Sequence, residues 1–137
     1  MKIAVHKISQ QGLKLSHDYK PQDLDIDTRD VKFSRDIHAE VFCTRIDKVL
    51  TLEVTLNSSF RTLCSCCAED ITRELNKKFT LYIDLEKNQD YVDITSDLRE
   101  ELMLDYPIRI LCKKDCKGFC FKCGKNLNEG DCACEKN

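Results

Sequence analysis

Six cysteines crowd the last 26 residues in the pattern Cys112-x3-Cys116-x3-Cys120-x2-Cys123-x8-Cys132-x-Cys134, and Cys64-Ser-Cys66-Cys67 stands upstream. Thiols at this density point to metal. Two residues between thiolates let the backbone fold into a knuckle, so that both sulfurs face one ion while main-chain N–H groups turn toward them. Gly124 follows Cys123 directly, at a position where a left-handed backbone is needed and glycine adopts it cheaply. The expected ion is structural zinc, Zn2+, in one site or two; iron, alone or in an iron–sulfur cluster, uses the same ligands. A shell of four protein thiolates leaves no position for an activated water and makes poor nucleophiles of its sulfurs. The chemistry expected is therefore to hold the chain together, with no catalytic residue and no enzymatic activity.

Eight of the cysteines divide into two sets of four. Cys120, Cys123, Cys132 and Cys134 can close a compact site by themselves, with the turn from Asn128 to Gly130 between its halves. Cys64, Cys67, Cys112 and Cys116 then form a second site that ties upstream structure to the tail, although six tail thiols allow other groupings. Closing a loop of about 45 residues costs the unfolded chain roughly 4 kcal/mol, while structural zinc contributes roughly 10–16 kcal/mol in small peptides. Loop closure therefore does not forbid the long-range site. Two thiols remain outside these sets. Cys43 shares an apolar face with Val41 and reads as a buried structural cysteine. Cys66 breaks the two-residue spacing and reads as a non-ligand.

The elements that must position these thiols are mainly strands. Ile37, Ala39, Val41 and Cys43 share one face of a strand, and Leu50, Leu52, Val54 and Leu56 share that of the next. Phe79, Leu81, Ile83 and Leu85 line a third, which Ile71 and Leu75 extend backwards; Lys2 to Ile8 and Leu13 to Tyr19 are further strand candidates. Polar residues between them give the alternation of a sheet with one face in a core and one in water. The stretch from Pro21 to Asp30, with four aspartates, reads as a solvated loop, and Glu86 to Asp90 as a shorter one. One helix is expected near 95–105, capped by Thr95 or Ser96, with Ile94, Leu98 and Leu102 at four-residue spacing and a stop around Tyr106 before Pro107. The expected class is α+β: an antiparallel meander or partial barrel, one helix, and a C-terminal cysteine-rich zinc-binding segment. The whole chain, 1–137, reads as a single domain, with a β-rich part over 1–94 and the helix plus tail over 95–137.

Composition narrows the function classes. No apolar run is long enough for a membrane span, and the N-terminus alternates instead of offering a signal core, so the expected location is the cytoplasm, where thiols stay reduced. A disulfide scaffold would need secretion and leaves Cys132-x-Cys134 and Cys66-Cys67 too close to bridge. His6, His17 and His38 are isolated from the thiols in sequence, and neither a phosphate-cradling glycine loop nor a His-Glu-x-x-His motif is present. The net charge of −2 argues against a broad grip on nucleic acid. The tail is locally basic, and Lys113, Lys114, Lys117 and Lys122 surround Phe119 and Phe121. That alternation suits weak or indirect contact with RNA, while lysines also offset the negative charge of thiolate-bound zinc.

Glu101-Leu-Met-Leu-Asp-Tyr-Pro107, then 111–128 with Cys-x3-Cys-x-Gly, Cys-x2-Cys-Gly and Asn-Leu-Asn, then Cys132-Ala-Cys134, resembles the YceD family of large ribosomal RNA subunit accumulation proteins. Cys64-x2-Cys67 falls where that family places Cys-x-Arg-Cys; here Cys66 stands at the arginine position and Ala68 at a usual leucine. The resemblance implies a bacterial, cytoplasmic, non-enzymatic factor supporting 23S ribosomal RNA accumulation and large-subunit biogenesis, with ribosomal RNA or assembly proteins as partners. A zinc- or iron-binding thiol redox protein or metallochaperone is the alternative from another class. No membrane and no small-molecule substrate is expected.

Overall fold

The computed structural model describes residues 1–104 and 109–134, and the expected helix stop at Tyr106 and Pro107 lies outside them. The alternating segments form antiparallel sheet. Strands β1 (Lys2–Ala4), β2 (Leu13–Tyr19), β3 (Val31–Phe33), β4 (Ile37–Ile46), β5 (Val49–Leu63), β6 (Asp70–Asp84) and β7 (Tyr91–Asp93) join helices α1 (Pro21–Leu24) and α2 (Thr95–Leu104). β4, β5 and β6 make a meander; β2 lies beside β4, and β3 pairs with β5 beyond the end of β4. The five-stranded sheet is open, with β2 and β6 at its edges, so the meander reading holds rather than the barrel. β1 and β7 form a separate two-stranded sheet.

Register follows from which side chains must be buried. Leu50, Leu52, Val54 and Leu56 face the same side as Ala39, Val41 and Cys43, and all seven are buried. A slip of one residue would turn the whole set into water. The turn between β4 and β5 needs only Asp47 and Lys48, with Asp47 at φ 53, a left-handed conformation that aspartate tolerates. Along β6, Phe79, Leu81 and Ile83 pack against the core while half exposed, as befits an edge strand. Leu85 is buried just beyond the strand end.

Three expectations need correction. The candidate strand from Lys2 to Ile8 stops at Ala4 and continues as a 3-10 turn over Val5–Lys7, which buries Val5. The aspartate-rich stretch from Pro21 is built structure rather than solvated loop. Pro21 opens α1, where its missing N–H costs nothing, and Asp25 ends it in the left-handed region at φ 48. Leu24 and Ile26 enter the core, Asp27 Oδ1 accepts from Phe33 N at 2.9 Å, and Arg99 Nε donates to Leu24 O at 2.9 Å, joining α1 to α2. At the start of α2, Asp93 takes the capping role expected of Thr95 or Ser96: its Oδ1 accepts from Thr95 N at 3.0 Å and from Thr95 Oγ1 at 2.7 Å. Those bonds lower the Asp93 carboxyl below its ordinary range. Ile94, Leu98 and Leu102 do pack onto the sheet.

Candidate metal centres

The turn between β5 and β6 is itself a knuckle. β5 pairs with β6 along its entire length, from Val49↔Asp84 to Leu63↔Asp70, and the six residues 64–69 close the hairpin. Within it Cys64 N donates to Glu69 O at 2.8 Å and Ala68 N to Cys64 O at 3.0 Å. The same two bonds recur in the tail, where Cys120 N donates to Lys125 O at 2.9 Å and Gly124 N to Cys120 O at 2.8 Å. Segments 64–69 and 120–125 are thus two copies of one turn, each aiming two sulfurs at a point in front of it.

Two further thiols complete each set. The sulfurs of Cys64, Cys67, Cys112 and Cys116 all lie within 4.8 Å of one another, and so do those of Cys120, Cys123, Cys132 and Cys134. Cys64 Sγ is 3.6 Å from Cys116 Sγ, and Cys67 Sγ is 3.7 Å from Cys112 Sγ. Four thiolates about 2.3 Å from a tetrahedrally bound ion lie about 3.8 Å apart, so these spacings fit such an ion. All ten cysteines are free thiols. The first set joins the hairpin to the tail and buries Cys64 and Cys67; the second lies within the tail, with Cys123 exposed. The structure therefore brings together the eight thiols singled out by spacing, in the two groups of four.

Cys43 and Cys66 lie outside both groups. Cys43 is fully buried in the sheet core, and burial pushes its thiol up to about 11. Cys66 is half-buried against the cluster of Cys64, Cys67 and Ile71, and its sulfur accepts from Arg109 Nη2 at 3.1 Å.

The electrostatics of the thiols suit a cation. Burial resists ionisation of Cys64, yet the N–H groups of Cys67, Cys112 and Cys66 outweigh it and bring the thiol down to about 6. N–H groups of Cys123 and Lys122, with the Cys132 thiol, bring Cys120 to about 6. In each set another member is driven the other way: burial and then bonds with Cys116 and Cys67 push Cys112 up to about 12, and bonds with Cys123 followed by burial push Cys134 up to about 12. Packed side by side, four thiols cannot all shed protons unless a cation replaces them.

Asn128 is a supporting residue that spacing alone did not single out. It belongs to the turn of the second set, yet its Nδ2 donates to Cys116 Sγ at 3.3 Å in the first, and its Oδ1 accepts from Lys117 N at 2.9 Å. Asn126 Oδ1 in turn accepts from Asn128 Nδ2 at 2.9 Å and fixes the amide orientation. One side chain so links the two centres, and the only sequence signal for it is Asn-Leu-Asn lying between ligands. On the other side, Ser65 N donates to Ile110 O at 2.8 Å and Arg73 Nη2 to Leu111 O at 2.8 Å, clamping the tail to the hairpin before any ion contributes.

The duplicated turn makes a prediction about backbone strain. Gly124 sits at φ 74, and Ala68 holds the equivalent place at φ 59. A non-glycine residue there costs roughly 1–2 kcal/mol. Ala68 is exposed, so Ala68→Gly gives up little packing and is expected to stabilise the metal-loaded protein by up to about 1 kcal/mol, the gain reduced by the freer unfolded chain. Gly124→Ala is expected to destabilise its turn by about 1 kcal/mol through φ alone, because an added Cβ meets no atom within 4 Å. Denaturant midpoints of the two variants, moving in opposite directions, check this.

Residues 82–137 match the model of a family described as Large ribosomal RNA subunit accumulation protein YceD, so the resemblance carried by the tail is borne out. A curated protein of Arabidopsis thaliana, named Large ribosomal RNA subunit accumulation protein YCED homolog 1, chloroplastic, is 42% identical over 43 residues, 31% of this chain and 13% of that protein. The protein of the same name in Zea mays is 29% identical over 70 residues, 50% of this chain and 23% of its own. The matched stretches span less than a quarter of either relative's length. No solved structure matches the chain.

Proposed function

We propose, from the YceD-type tail as premise, that this protein is a non-catalytic factor supporting 23S ribosomal RNA accumulation and large-subunit biogenesis. One structural zinc ion holds its tail against the sheet, and a second closes the tail on itself. The observation that carries the reading is a coincidence of place. The segment that matches the family, 82–137, supplies six of the eight ligands, and the two named relatives are large ribosomal RNA subunit accumulation proteins. Four protein thiolates per ion satisfy zinc fully and give it no open position, which supports a structural rather than a catalytic role. Ten free thiols suit a reducing compartment, and the location we assign is the cytoplasm. Ribosomal RNA or a large-subunit assembly protein is the partner class.

Removing the protein from its host is expected to lower mature 23S relative to 16S RNA, with precursor or fragmented 23S accumulating and large subunits becoming scarce. RNA gels and sucrose-gradient profiles of the deletion strain, grown under several conditions, measure this. An unchanged ratio throughout would rule out the ribosomal reading and leave a metal-stabilised interaction module.

A further inference from the structure

Two aromatic rings stand on the second centre where packing does not require them. Phe121 lies between the ligands Cys120 and Cys123 and is 94% exposed, more than any other large apolar side chain among the described residues. Phe119 is 36% exposed, and its ring packs on that of Phe121 at 5.3 Å between centroids and 59° between planes. The backbone beneath them is fixed: Phe119 pairs with Asn126 in an antiparallel bridge, and the bond from Cys120 N to Lys125 O closes the turn. An exposed leucine or tyrosine on a sheet needs no explanation. A phenyl ring held out into water by a turn whose two ends are ligands is a different case, because that turn cannot fold over to cover it.

What could cover the ring follows from its surroundings. A protein interface of ordinary size needs about 800 Å² per partner. Two rings among the exposed Lys117, Lys122 and Lys125 do not supply an apolar core for one. Over the described tail, 109–134, six basic residues face three acidic ones. Thiolate-bound zinc, with its double negative charge at each centre, offsets that excess. Charge alone therefore gives little grip, and the face of the ring must supply most of it.

We propose that Phe121, backed by Phe119, is a stacking platform for an unpaired base of single-stranded RNA, with Lys117, Lys122 and Lys125 against the flanking phosphates. The choice of RNA rests on the function proposed above. An aromatic face accepts any base, so the feature recognised is an unstacked nucleotide rather than a sequence. Paired bases inside an A-form duplex present no such face.

The metal-loaded full chain is titrated with a labelled oligouridylate of about 12 nucleotides, within the range of known single-strand sites, and with a duplex of equal length. Binding is expected to favour the single strand, and Phe121→Ala to weaken it about 5- to 150-fold, the range that stacking on one base implies. Phe121→Leu, which keeps apolar bulk without a π face, is expected to fall as far as Phe121→Ala. Phe121→Trp is expected to retain affinity, with indole emission quenched as RNA is added. Metal content must match the parent protein in each variant. No binding to the single strand, equal binding to the duplex, or an unaffected Phe121→Ala each overturns the platform. Full affinity in Phe121→Leu identifies an apolar docking contact instead and overturns it as well. A deletion strain with normal 23S RNA overturns the ribosomal reading but leaves these titrations as they stand, so the two failures are distinguishable.

Discussion

Replacing Cys67 with serine is expected to remove one equivalent of metal and release the tail from the β5–β6 hairpin, whereas Cys132→Ser removes a different equivalent and leaves the sheet folded. The first centre joins parts of the chain 45 residues apart at the Cys67–Cys112 contact. The second closes within 120–134. Structural zinc is worth roughly 10–16 kcal/mol in small peptides, comparable with the roughly 5–15 kcal/mol that stabilises a whole domain. Loss of the first centre should thus be visible as a lower unfolding midpoint and as rapid amide exchange over 109–119, ahead of the retained second centre. The sheet retains its own core of Leu50, Leu52, Val54 and Leu56, so strand amides should stay protected. Because Asn128 bonds to Cys116 Sγ from the other centre, Cys132→Ser should also make the remaining ion easier to chelate. Elemental analysis of both variants settles the count: depletion of the same single equivalent by each would exclude two centres.

Ile26→Ala is expected to cost about 2–5 kcal/mol, the ordinary range for emptying a fully buried aliphatic position. Ile26 lies in the aspartate-rich stretch between α1 and β3 and is completely buried. A side chain in a solvated connection would change stability by no more than about 0.5 kcal/mol. Equilibrium urea unfolding distinguishes the two by a wide margin. A small effect would mean that 21–30 is not part of the core.

The contrast at Ile26 shows where sequence reading reaches and where it stops. Strands β4, β5 and β6 were legible because period-two alternation is a local property, and each strand repeats it over many residues. The thiol sets were legible for a similar reason: ligand spacing in a knuckle is fixed by the few residues between the sulfurs. The segment from Pro21 to Asp30 offered no period. Its aspartates at 23, 25, 27 and 30 face outward and dominate composition, while Leu24 and Ile26 are recruited by a core that other elements build. The 3-10 turn at Val5–Lys7 escaped for the same cause, since one buried valine ends a strand as readily as it continues one. Asn128 was visible as a turn residue, but its bond to the sulfur of another centre depends on tertiary placement.

The β5–β6 turn that doubles as a metal knuckle also sets an order of events during synthesis. The hairpin's contacts are close in sequence, so it can form as soon as β6 leaves the ribosome. Its two thiols, Cys64 and Cys67, then wait for Cys112 and Cys116. At about 5–20 residues per second, the 45 residues between Cys67 and Cys112 take several seconds to translate. Until then the hairpin offers half a coordination shell, exposed to any competing ion or oxidant. Any ion held by the first centre is thus acquired late, after β6, β7 and α2 have been made, and its coordination marks a nascent chain whose hairpin and tail have found each other.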